Sequence, residues 1–322
     1  MQKNISYILL ILLIGLLIFG WNRVTQQEQV QLPGNNEQYY RIVSLPIPDT
    51  LTFYGEEVPL DLFYVHEALD RELMVNTYWH SATLLLIKKS YRYFPLFDSI
   101  LRKHNIPVDF KYIAIIESGL SNVVSPAGAV GFWQFLKGTG KDYGLEIDDD
   151  VDERYHIEKS TEAACAYLLA SYNSYGNWTL TAASYNAGQR GINRQIDRQK
   201  TTSFYDLLLS DETSRYIYRI LAMKLILEKP QEYGFYVKPN EVYLPIPTKK
   251  VMVNQRVDDW AVFANDQHIS YKLLKQFNPW LRESYLKNRK NKTYYIDIPL
   301  APYDMTHQEL MMKMNGLNRQ GS

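Results

Sequence analysis

Apolar residues recur every three or four positions along most of the chain between residues 60 and 233. This spacing puts them on one face of an α-helix, so it predicts a mainly helical region. Pro95 and Pro107 stand where a helix would begin or break, and Ser160 or Thr161 is a residue type suited to an N-cap. The predicted helices cover 61–78, 80–91, 109–116, 160–172, 178–187 and 212–227. The predicted fold class is therefore mainly α.

The pattern changes after Pro239. Residues 251–253 have the composition of a strand, and residues 258–278 have helical spacing. In 294–298 the residues Tyr, Ile and Ile alternate with Tyr and Asp, which is the period of a half-buried strand. The order strand, helices, strand predicts a small α+β module behind the helical region.

An apolar run without charge lies near the N terminus. Residues 5–21 would span about 26 Å as a helix, which is near the lower limit for crossing a bilayer. Lys3 precedes the run, as expected on the cytoplasmic side of a membrane, and 19–23 is a poor signal-peptidase site. We predict that 1–24 is a membrane anchor, with a cleavable signal segment as the alternative. Either would export the rest of the chain, beginning with a linker at 25–60.

Charge and cysteine content exclude several classes of protein. The chain has 35 Lys and Arg residues and 35 Asp and Glu residues, so its formal net charge is zero. This balance argues against a domain whose main task is to neutralise nucleic-acid phosphates. Cys165 is the one cysteine, which excludes an intramolecular disulfide framework and a four-cysteine zinc site. Its Ala-rich helical surroundings predict a buried structural thiol.

The sequence predicts neither a metal site nor a cofactor. Its six histidines include no HExxH pair. Residues 148–153 match a calcium loop at its first three ligand positions, but they lack the glycine of position 6. Lys159 also stands where that loop has its bidentate glutamate. A solvated acidic turn is the favoured interpretation of this segment.

Glu117 is the candidate for acid chemistry. It ends the apolar segment 112–116, and a glycine-rich loop follows it. A carboxyl group at the wall of an apolar cleft has its pKa raised, because its charged form is desolvated. At the reference pKa of about 4.3, roughly 0.2% of such groups are protonated at pH 7. At a pKa of about 6, as in the general acid of lysozyme, about 10% are protonated. The alternative is a solvent-exposed glutamate at a helix end.

Three separated motifs occur in one frame with Glu117. They read ESGL at 117–120, SPAGAVGFWQ at 125–134 and SYNAG at 184–188. In this order and spacing, about 61–235 resembles the goose-type-lysozyme-like lytic transglycosylases, and among them the membrane-bound murein transglycosylases of the D type. The resemblance includes the VDER sequence at 151–154. It departs from the family pattern at Arg215, which is displaced by one position.

The resemblance implies a lysozyme-like (goose-type) catalytic domain with Glu117 as its catalytic residue. Glu117 would protonate the glycosidic oxygen between N-acetylmuramic acid and N-acetylglucosamine. It would then take the proton of the muramic C6 hydroxyl as a 1,6-anhydro ring closes. The substrate's N-acetyl group would stabilise the cationic centre in place of a second carboxylate, and 118–141 contains no Asp or Glu before Asp142. A hydrolytic muramidase, using a distant carboxylate such as Asp142 or Asp148, and a non-catalytic peptidoglycan-binding scaffold are the alternatives.

The resemblance also implies a set of substrate-binding residues. These are Ser118, Ser125, Gln134, Tyr185, Asn186 and Tyr216. Either serine could hydrogen-bond Glu117 or the sugar, and Tyr185 is expected near the acid. Gln134 and Asn186 could instead satisfy backbone groups of the glycine-rich region. Phe132 and Trp133 fit a core role and a sugar platform equally well.

The C-terminal region, about 249–299, resembles a LysM module, which binds glycans that contain N-acetylglucosamine. Val257 replaces the glycine usual before Asp258 in such modules, so the motif is degenerate. The predicted domains are thus 61–235 for catalysis and 236–322 for the module and tail. The implied partners are peptidoglycan strands and, through the N-terminal segment, a membrane, with no nucleic acid. The implied location is the cell envelope, with the catalytic domain in the periplasm.

Overall fold

The computed structural model describes residues 42–300 and residue 309. The predicted anchor at 1–24 lies outside these residues. Within the described part, no helix combines the length and the apolar composition that a membrane span requires. A unit that begins at Leu45 contains every helix and strand of the described residues.

Eight α-helices build the helical region, as the apolar spacing predicted. They are α1 (Phe63–Tyr78), α2 (His80–Lys103), α3 (Lys111–Ser118), α4 (Lys137–Asp142), α5 (Ile157–Tyr175), α6 (Trp178–Ala187), α7 (Gln189–Gln199) and α8 (Asp211–Glu228). Neither α4 nor α7 was predicted. The first contains two glycines and no large apolar residue, and Ile192 and Ile196 are the only large apolar residues of the second. The predicted helix at 178–187 has the bounds of α6.

Two predictions about helix ends are wrong. Pro95 neither begins nor ends a helix, because α2 continues through it. Because Pro95 has no backbone N–H, the Tyr91 carbonyl lacks the hydrogen bond that it would otherwise accept within the helix. Both residues lie on the exposed side of α2, where this carbonyl can tilt toward water. Ser160 and Thr161 lie inside α5, and both hydroxyls donate to the carbonyl of Ile157.

The helix that carries Glu117 lies at the centre of the helical core. Tyr112, Ile113, Ala114 and Ile115 are all buried, and α3 packs against α2 and α8. It ends at a glycine C-cap with a φ of 59°, in the left-handed region that favours glycine. The last turn of α3 therefore brings Glu117 to the edge of the core.

Cys165 is buried in α5, as predicted. Its thiol has no disulfide partner, and burial raises its pKa to about 12. The thiol is therefore protonated at neutral pH, which agrees with a structural role.

A short hairpin precedes α1 and contacts the helical core. Its strands β1 (Thr52–Phe53) and β2 (Glu56–Glu57) pair antiparallel. Phe53 is fully buried. The Glu56 carboxylate accepts hydrogen bonds from the backbone N–H groups of Trp178 and Thr179 at the start of α6. The hairpin thereby fixes the beginning of α6.

The C-terminal module has the predicted order of strand, helices and strand. Its elements are β3 (Thr248–Val253), α9 (Trp260–Asp266), α10 (Tyr271–Phe277) and β4 (Tyr294–Pro299). The two strands pair antiparallel, with Val251 opposite Ile296. Tyr294, Ile296 and Ile298 are buried and Tyr295 is exposed, which confirms the predicted alternation.

The module packs against the segment 146–158 of the helical region. Val151 belongs to the buried core of the module and pairs with Leu281 in an isolated β-bridge. The backbone N–H of Asp152 donates to the carbonyl of Trp280 at 2.9 Å. Ion pairs join Lys287 to Asp150 at 3.2 Å and Lys292 to Glu146 at 2.8 Å.

The prediction of a solvated acidic turn at 148–153 holds for Asp148 and Asp149, which are exposed, and is wrong for the other three acidic residues. Asp150, Asp152 and Glu153 are all buried. Their charges are balanced by Lys287, by Arg154 and by Lys159, respectively. The sequence pattern of the turn could not reveal these partners, because the first of them lies in the other half of the chain.

Candidate active site

Glu117 lies half-buried at the end of α3. Its Oε1 atom accepts a hydrogen bond of 2.6 Å from the Tyr216 hydroxyl. Burial raises the pKa of the Glu117 carboxyl to about 7. The hydrogen bond from Tyr216 and the charge of Arg219 act in the opposite direction, and the charge of Glu212 adds to the increase. The carboxyl can therefore hold or release a proton near neutral pH.

Two tyrosines flank this carboxyl. Tyr216 is buried on α8, and burial together with the Glu117 charge raises its pKa well above the usual value. Tyr185 lies on α6, and the same two causes raise its pKa. The Tyr185 hydroxyl donates to the carbonyl of Trp133 at 2.8 Å. Both phenols are therefore neutral, and Tyr216 is the one that donates to Glu117.

The two predicted serines make local hydrogen bonds. Ser118 donates to the carbonyl of Ala114 at 2.9 Å, one turn back in α3. Ser125 accepts from the backbone N–H of Ala129 at 3.0 Å. The expectation that either hydroxyl bonds Glu117 is not met among the described residues, because short hydroxyl side chains find nearby backbone groups.

Gln134 makes the backbone contacts that were its alternative role. Its Nε2 atom donates to the carbonyls of Val123 and Gly131, at 3.1 and 2.8 Å. Its backbone has a φ of 50°, which is uncommon for a residue with a side chain. Gln134 thus holds the loop that follows Glu117.

Asn186 joins two helices. Its Nδ2 atom donates to Glu212 Oε1 at 3.1 Å, and its Oδ1 atom accepts from the Thr213 hydroxyl at 2.8 Å. These contacts connect the end of α6 to the first turn of α8. Asn186 therefore sets the spacing between the helices that carry Tyr185 and Tyr216.

Phe132 and Trp133 are core residues. Both are buried, Trp133 completely. The Trp133 indole donates to the Thr161 hydroxyl at 2.8 Å, and Phe132 packs edge-on against Tyr93. The alternative role as an exposed sugar platform is therefore wrong for these two rings.

Sequence reasoning missed two cations that support the loop after Glu117. Lys89 donates to the carbonyl of Gly119 at 3.0 Å and to the Ser121 hydroxyl at 2.6 Å. A cation at this place satisfies a free carbonyl at the C terminus of α3 and interacts favourably with the helix dipole. No motif distinguishes Lys89 from the other lysines of an amphipathic helix.

The second cation is Arg154, in the VDER sequence. It is buried and paired with Asp152 through two hydrogen bonds of 2.9 and 2.7 Å. Its Nη1 atom donates to the carbonyls of Gly128 and Phe135. At Gly131 a Cβ atom would lie 2.0 Å from the Arg154 carbonyl oxygen, so this glycine is required for the close contact. The VDER motif was the sequence signal for Arg154. In the structure this arginine holds the glycine-rich loop through its bonds to the two carbonyls.

The displaced Arg215 has a structural role. Its Nε atom donates to Glu72 Oε1 at 2.7 Å, and Glu72 is buried on α1. This pair joins α8 to α1.

Two family models match the chain. Residues 96–208 match the transglycosylase SLT domain, and residues 249–302 match the soluble lytic transglycosylase C-terminal LysM-like domain. Glu117 and Tyr185 lie within the SLT match, and Tyr216 follows shortly after it. The match of 249–302 to a LysM-like domain confirms the resemblance found for about 249–299.

Two curated relatives from strains of Escherichia coli are similar to this chain, and both are named membrane-bound lytic murein transglycosylase D. Each is 27% identical over 274 residues, which cover 82% of this chain and 59% of the relative. The chain therefore spans less than two thirds of the length of these relatives. A solved structure of an inactive mutant of lytic transglycosylase Slt from Pseudomonas aeruginosa also matches. It has a TM-score of 0.36 and 19% identity, and covers 47% of this chain and 26% of that chain.

Proposed function

We propose that this chain is a peptidoglycan lytic transglycosylase. It cleaves the β-1,4 bond between N-acetylmuramic acid and N-acetylglucosamine and leaves 1,6-anhydro-N-acetylmuramic acid ends. The observation that carries the proposal is a half-buried Glu117, in an SLT domain, whose carboxyl has a pKa raised to about 7. Such a group exists in both protonation states at neutral pH, which a single acid–base residue needs.

Glu117 first donates a proton and later accepts one. The protonated carboxyl gives its proton to the glycosidic oxygen, the C1–O bond breaks, and N-acetylglucosamine leaves as an alcohol. The substrate's acetamido oxygen stabilises the positive charge at C1. The muramic C6 hydroxyl then bonds to C1 and loses its proton to the Glu117 carboxylate, which returns the enzyme to its starting state. Tyr216 stabilises the carboxylate between the two steps through its hydrogen bond of 2.6 Å.

The remaining site residues divide into two groups in this proposal. Tyr185 borders the reacting groups beside Glu117. Ser118, Ser125, Gln134 and Asn186 act mainly by shaping the cleft walls, because their observed partners are neighbouring protein groups. Substrate contacts by their remaining polar atoms are compatible with these bonds.

A muramidase would need a second carboxylate near Glu117. Asp148, one of the expected candidates, accepts the backbone N–H groups of Asp150 and Val151 beside the LysM-like module. The carboxylate whose charge acts on Glu117 is Glu212, which also accepts from Asn186. Removing the Glu212 carboxylate therefore tests whether the reaction needs one carboxylate or two.

The domain limits and the cellular location are part of the proposal. We place catalysis in 61–235, a LysM-like module and tail in 236–322, a linker in 25–60 and a membrane anchor in 1–24. The end of that linker, at 51–58, packs into the core of the helical region and belongs with it structurally. The uncharged run at 5–21 supports the anchor, and the E. coli relatives carry the words membrane-bound in their names. The catalytic domain then acts on peptidoglycan in the periplasm.

Product analysis tests the activity. Purified cell-wall sacculi are digested with the chain, and the released fragments are analysed by mass spectrometry. We expect muropeptides with anhydro ends, each one water lighter than the corresponding hydrolysis product. Reducing muramic ends as the main product would establish a muramidase, and absence of release by a folded protein would establish a binding scaffold.

A further inference from the structure

Trp79 is an exposed tryptophan at the corner where α1 ends and α2 begins. It is the C-cap residue of α1 and the N-cap residue of α2, and 68% of its surface is exposed. Trp133, Trp260 and Trp280, by contrast, are buried in the two cores. Tryptophan has a large apolar ring and is enriched among the residues that carry the energy of binding to another molecule.

The backbone of this corner is fixed by hydrogen bonds. The Trp79 N–H donates to the carbonyl of Val75 at 3.1 Å, and the Trp79 carbonyl accepts from the N–H groups of Ala82 and Thr83 at 3.1 and 3.2 Å. The Thr83 hydroxyl also donates to the carbonyl of Asn76, which joins the start of α2 to the end of α1. The indole ring is therefore presented on an ordered backbone, which reduces the entropy cost of binding to it.

One side of α2 connects Trp79 to the end of α3. Leu86 follows Trp79 at seven positions and Lys89 follows Leu86 at three, spacings that place residues on the same side of a helix. Lys89 donates to the carbonyl of Gly119 at 3.0 Å, and a Cβ atom at Gly119 would lie 3.7 Å from Leu86 Cδ2. Because seven residues span about 10 Å of helix, this side of α2 runs from the surroundings of Glu117 to Trp79.

α1 connects the same corner to the other side of the acid. It packs against α8, and Glu72, seven residues before Trp79, accepts a hydrogen bond of 2.7 Å from Arg215. Arg215 directly precedes Tyr216, whose hydroxyl donates to Glu117. Both helices that meet at Trp79 therefore also contact neighbours of Glu117, so the exposed ring is continuous with the candidate active site.

The chemistry of the indole ring favours a sugar at this place. The face of an aromatic ring carries partial negative charge, which attracts polarised C–H groups. The rings of a β-1,4-linked glycan present such C–H groups on their faces. The proposed substrate is also a polymer, so sugar units beyond the two at the cleaved bond lie along the protein surface next to the active site.

We propose that Trp79 is a stacking platform for a sugar unit of the glycan strand beyond the two that flank the cleaved bond, and that it determines a preference for long strands. The choice of a glycan rests on the proposed function. Trp79 precedes residues 96–208, so the SLT match does not assign it this role.

Fluorescence quenching tests binding without turnover. The protein is the full chain carrying Glu117→Gln, and the probe is a stem-free octasaccharide of alternating N-acetylglucosamine and N-acetylmuramic acid. Acrylamide quenches the emission of exposed tryptophans, and the part of the quenching that Trp79→Phe removes belongs to Trp79. We expect the octasaccharide to protect Trp79 from acrylamide in a saturable way, because a sugar ring covers the indole face.

A matched pair of variants tests the effect on turnover. Tyr91 is another exposed aromatic residue of α2, but it follows Leu86 at five positions and so faces a different side of the helix. With the octasaccharide as substrate, we expect Trp79→Ala to raise KM about tenfold and to leave kcat within about threefold, because the platform acts on binding. Tyr91→Ala should leave both within about twofold.

Two further comparisons sharpen this test. Trp79→Phe keeps an aromatic face, so we expect it to recover part of the KM that Trp79→Ala loses. A tetrasaccharide is too short to reach from the cleaved bond to the platform, so its KM should change less than that of the octasaccharide. Every variant keeps the LysM-like module, whose contribution to binding is therefore the same in all of them.

Four results would overturn the inference. They are an unprotected Trp79 at saturating octasaccharide, equal KM values for Trp79→Ala and Tyr91→Ala, a loss confined to kcat, and protection by vesicles of phosphatidylethanolamine and phosphatidylglycerol but not by the octasaccharide. The last would identify a membrane contact. Anhydro products without protection of Trp79 would refute the platform alone, and protection of Trp79 with reducing ends as products would refute the proposed activity alone.

Discussion

Two half-buried glutamates, one in β2 and one in α3, differ sharply in their hydrogen bonding. Glu56 faces the N terminus of α6 and accepts four hydrogen bonds, from Asn177, from the Trp178 N–H and from both the N–H and the hydroxyl of Thr179. Glu117 lies in the last turn of α3, where the hydrogen bond found in the described residues comes from Tyr216.

The difference shows how position separates a carboxylate held by several donors from the proposed acid–base residue. The N terminus of a helix carries free N–H groups and a partial positive charge, which hold an anion such as Glu56 in place. The C-terminal end carries the opposite partial charge, and burial further disfavours the ionised form of Glu117. The proposed acid–base residue is thus the one of the two glutamates with few hydrogen-bond donors.

The largest expected effect is on turnover by Glu117→Gln. The substitution keeps the shape of the side chain but removes its titrating proton, so we expect a loss of at least about 100-fold in the rate of anhydro-product release. The matched control is Glu212→Gln, which removes a neighbouring charge and should keep the rate within about tenfold. An equal loss in both variants would indicate a two-carboxylate mechanism, and near-normal turnover by a folded Glu117→Gln would show that the acid is another residue.

The same substitution should stabilise the protein at alkaline pH. The folded-state pKa of Glu117 is raised from 4.5 to about 7, so the folded chain binds more protons than the unfolded chain between these values. The free energy of unfolding then falls as pH rises through this window, by up to about 3 kcal/mol. The glutamine of Glu117→Gln does not titrate, so this fall in the free energy of unfolding is absent from the variant.

Melting curves at pH 4 and pH 8 measure this effect. We expect the gap between Glu117→Gln and the unmodified chain to grow in favour of the variant as pH rises. A gap that does not change with pH would contradict a raised pKa of Glu117.

Glu56→Gln should have the opposite effect on stability. It replaces an anion that accepts four hydrogen bonds, so we expect a loss of about 1–2 kcal/mol at pH 7 and a lower melting temperature. Glu57→Gln is the matched control, because Glu57 is exposed and surface substitutions usually change stability by less than about 0.5 kcal/mol. Equal melting temperatures of the two variants would remove the contrast between Glu56 and Glu117.

The smallest expected effect is a shift of the pH profile by Tyr216→Phe. The Tyr216 hydrogen bond lowers the pKa of Glu117, so its removal should raise that pKa by about one unit. The alkaline limb of the activity profile, which reports loss of the acid form, should move to higher pH. Movement to lower pH would mean that Tyr216 does not stabilise the carboxylate.

Local patterns in the sequence were sufficient for much of the fold. The bounds of α6 and the burial of Tyr294, Ile296 and Ile298 follow from periodicities of 3.6 and 2 residues. These patterns depend only on neighbours along the chain. The raised pKa of Glu117 was also predictable, because an apolar segment precedes it. Pro95 shows the limit of local rules, because a proline inside α2 is tolerated only where its side of the helix faces solvent.

Contacts between distant parts of the chain decided the rest. The sequence by itself determined a mainly helical fold, a small α+β module and an acid at the end of a buried helix. Only the tertiary structure decided that Asp150 and Asp152 are buried partners of the module and of Arg154, and that Glu56 holds the start of α6. These roles depend on pairs up to 137 residues apart, as between Asp150 and Lys287. A buried charge is stable only with its partner, and periodicity carries no information about which distant residue that partner is.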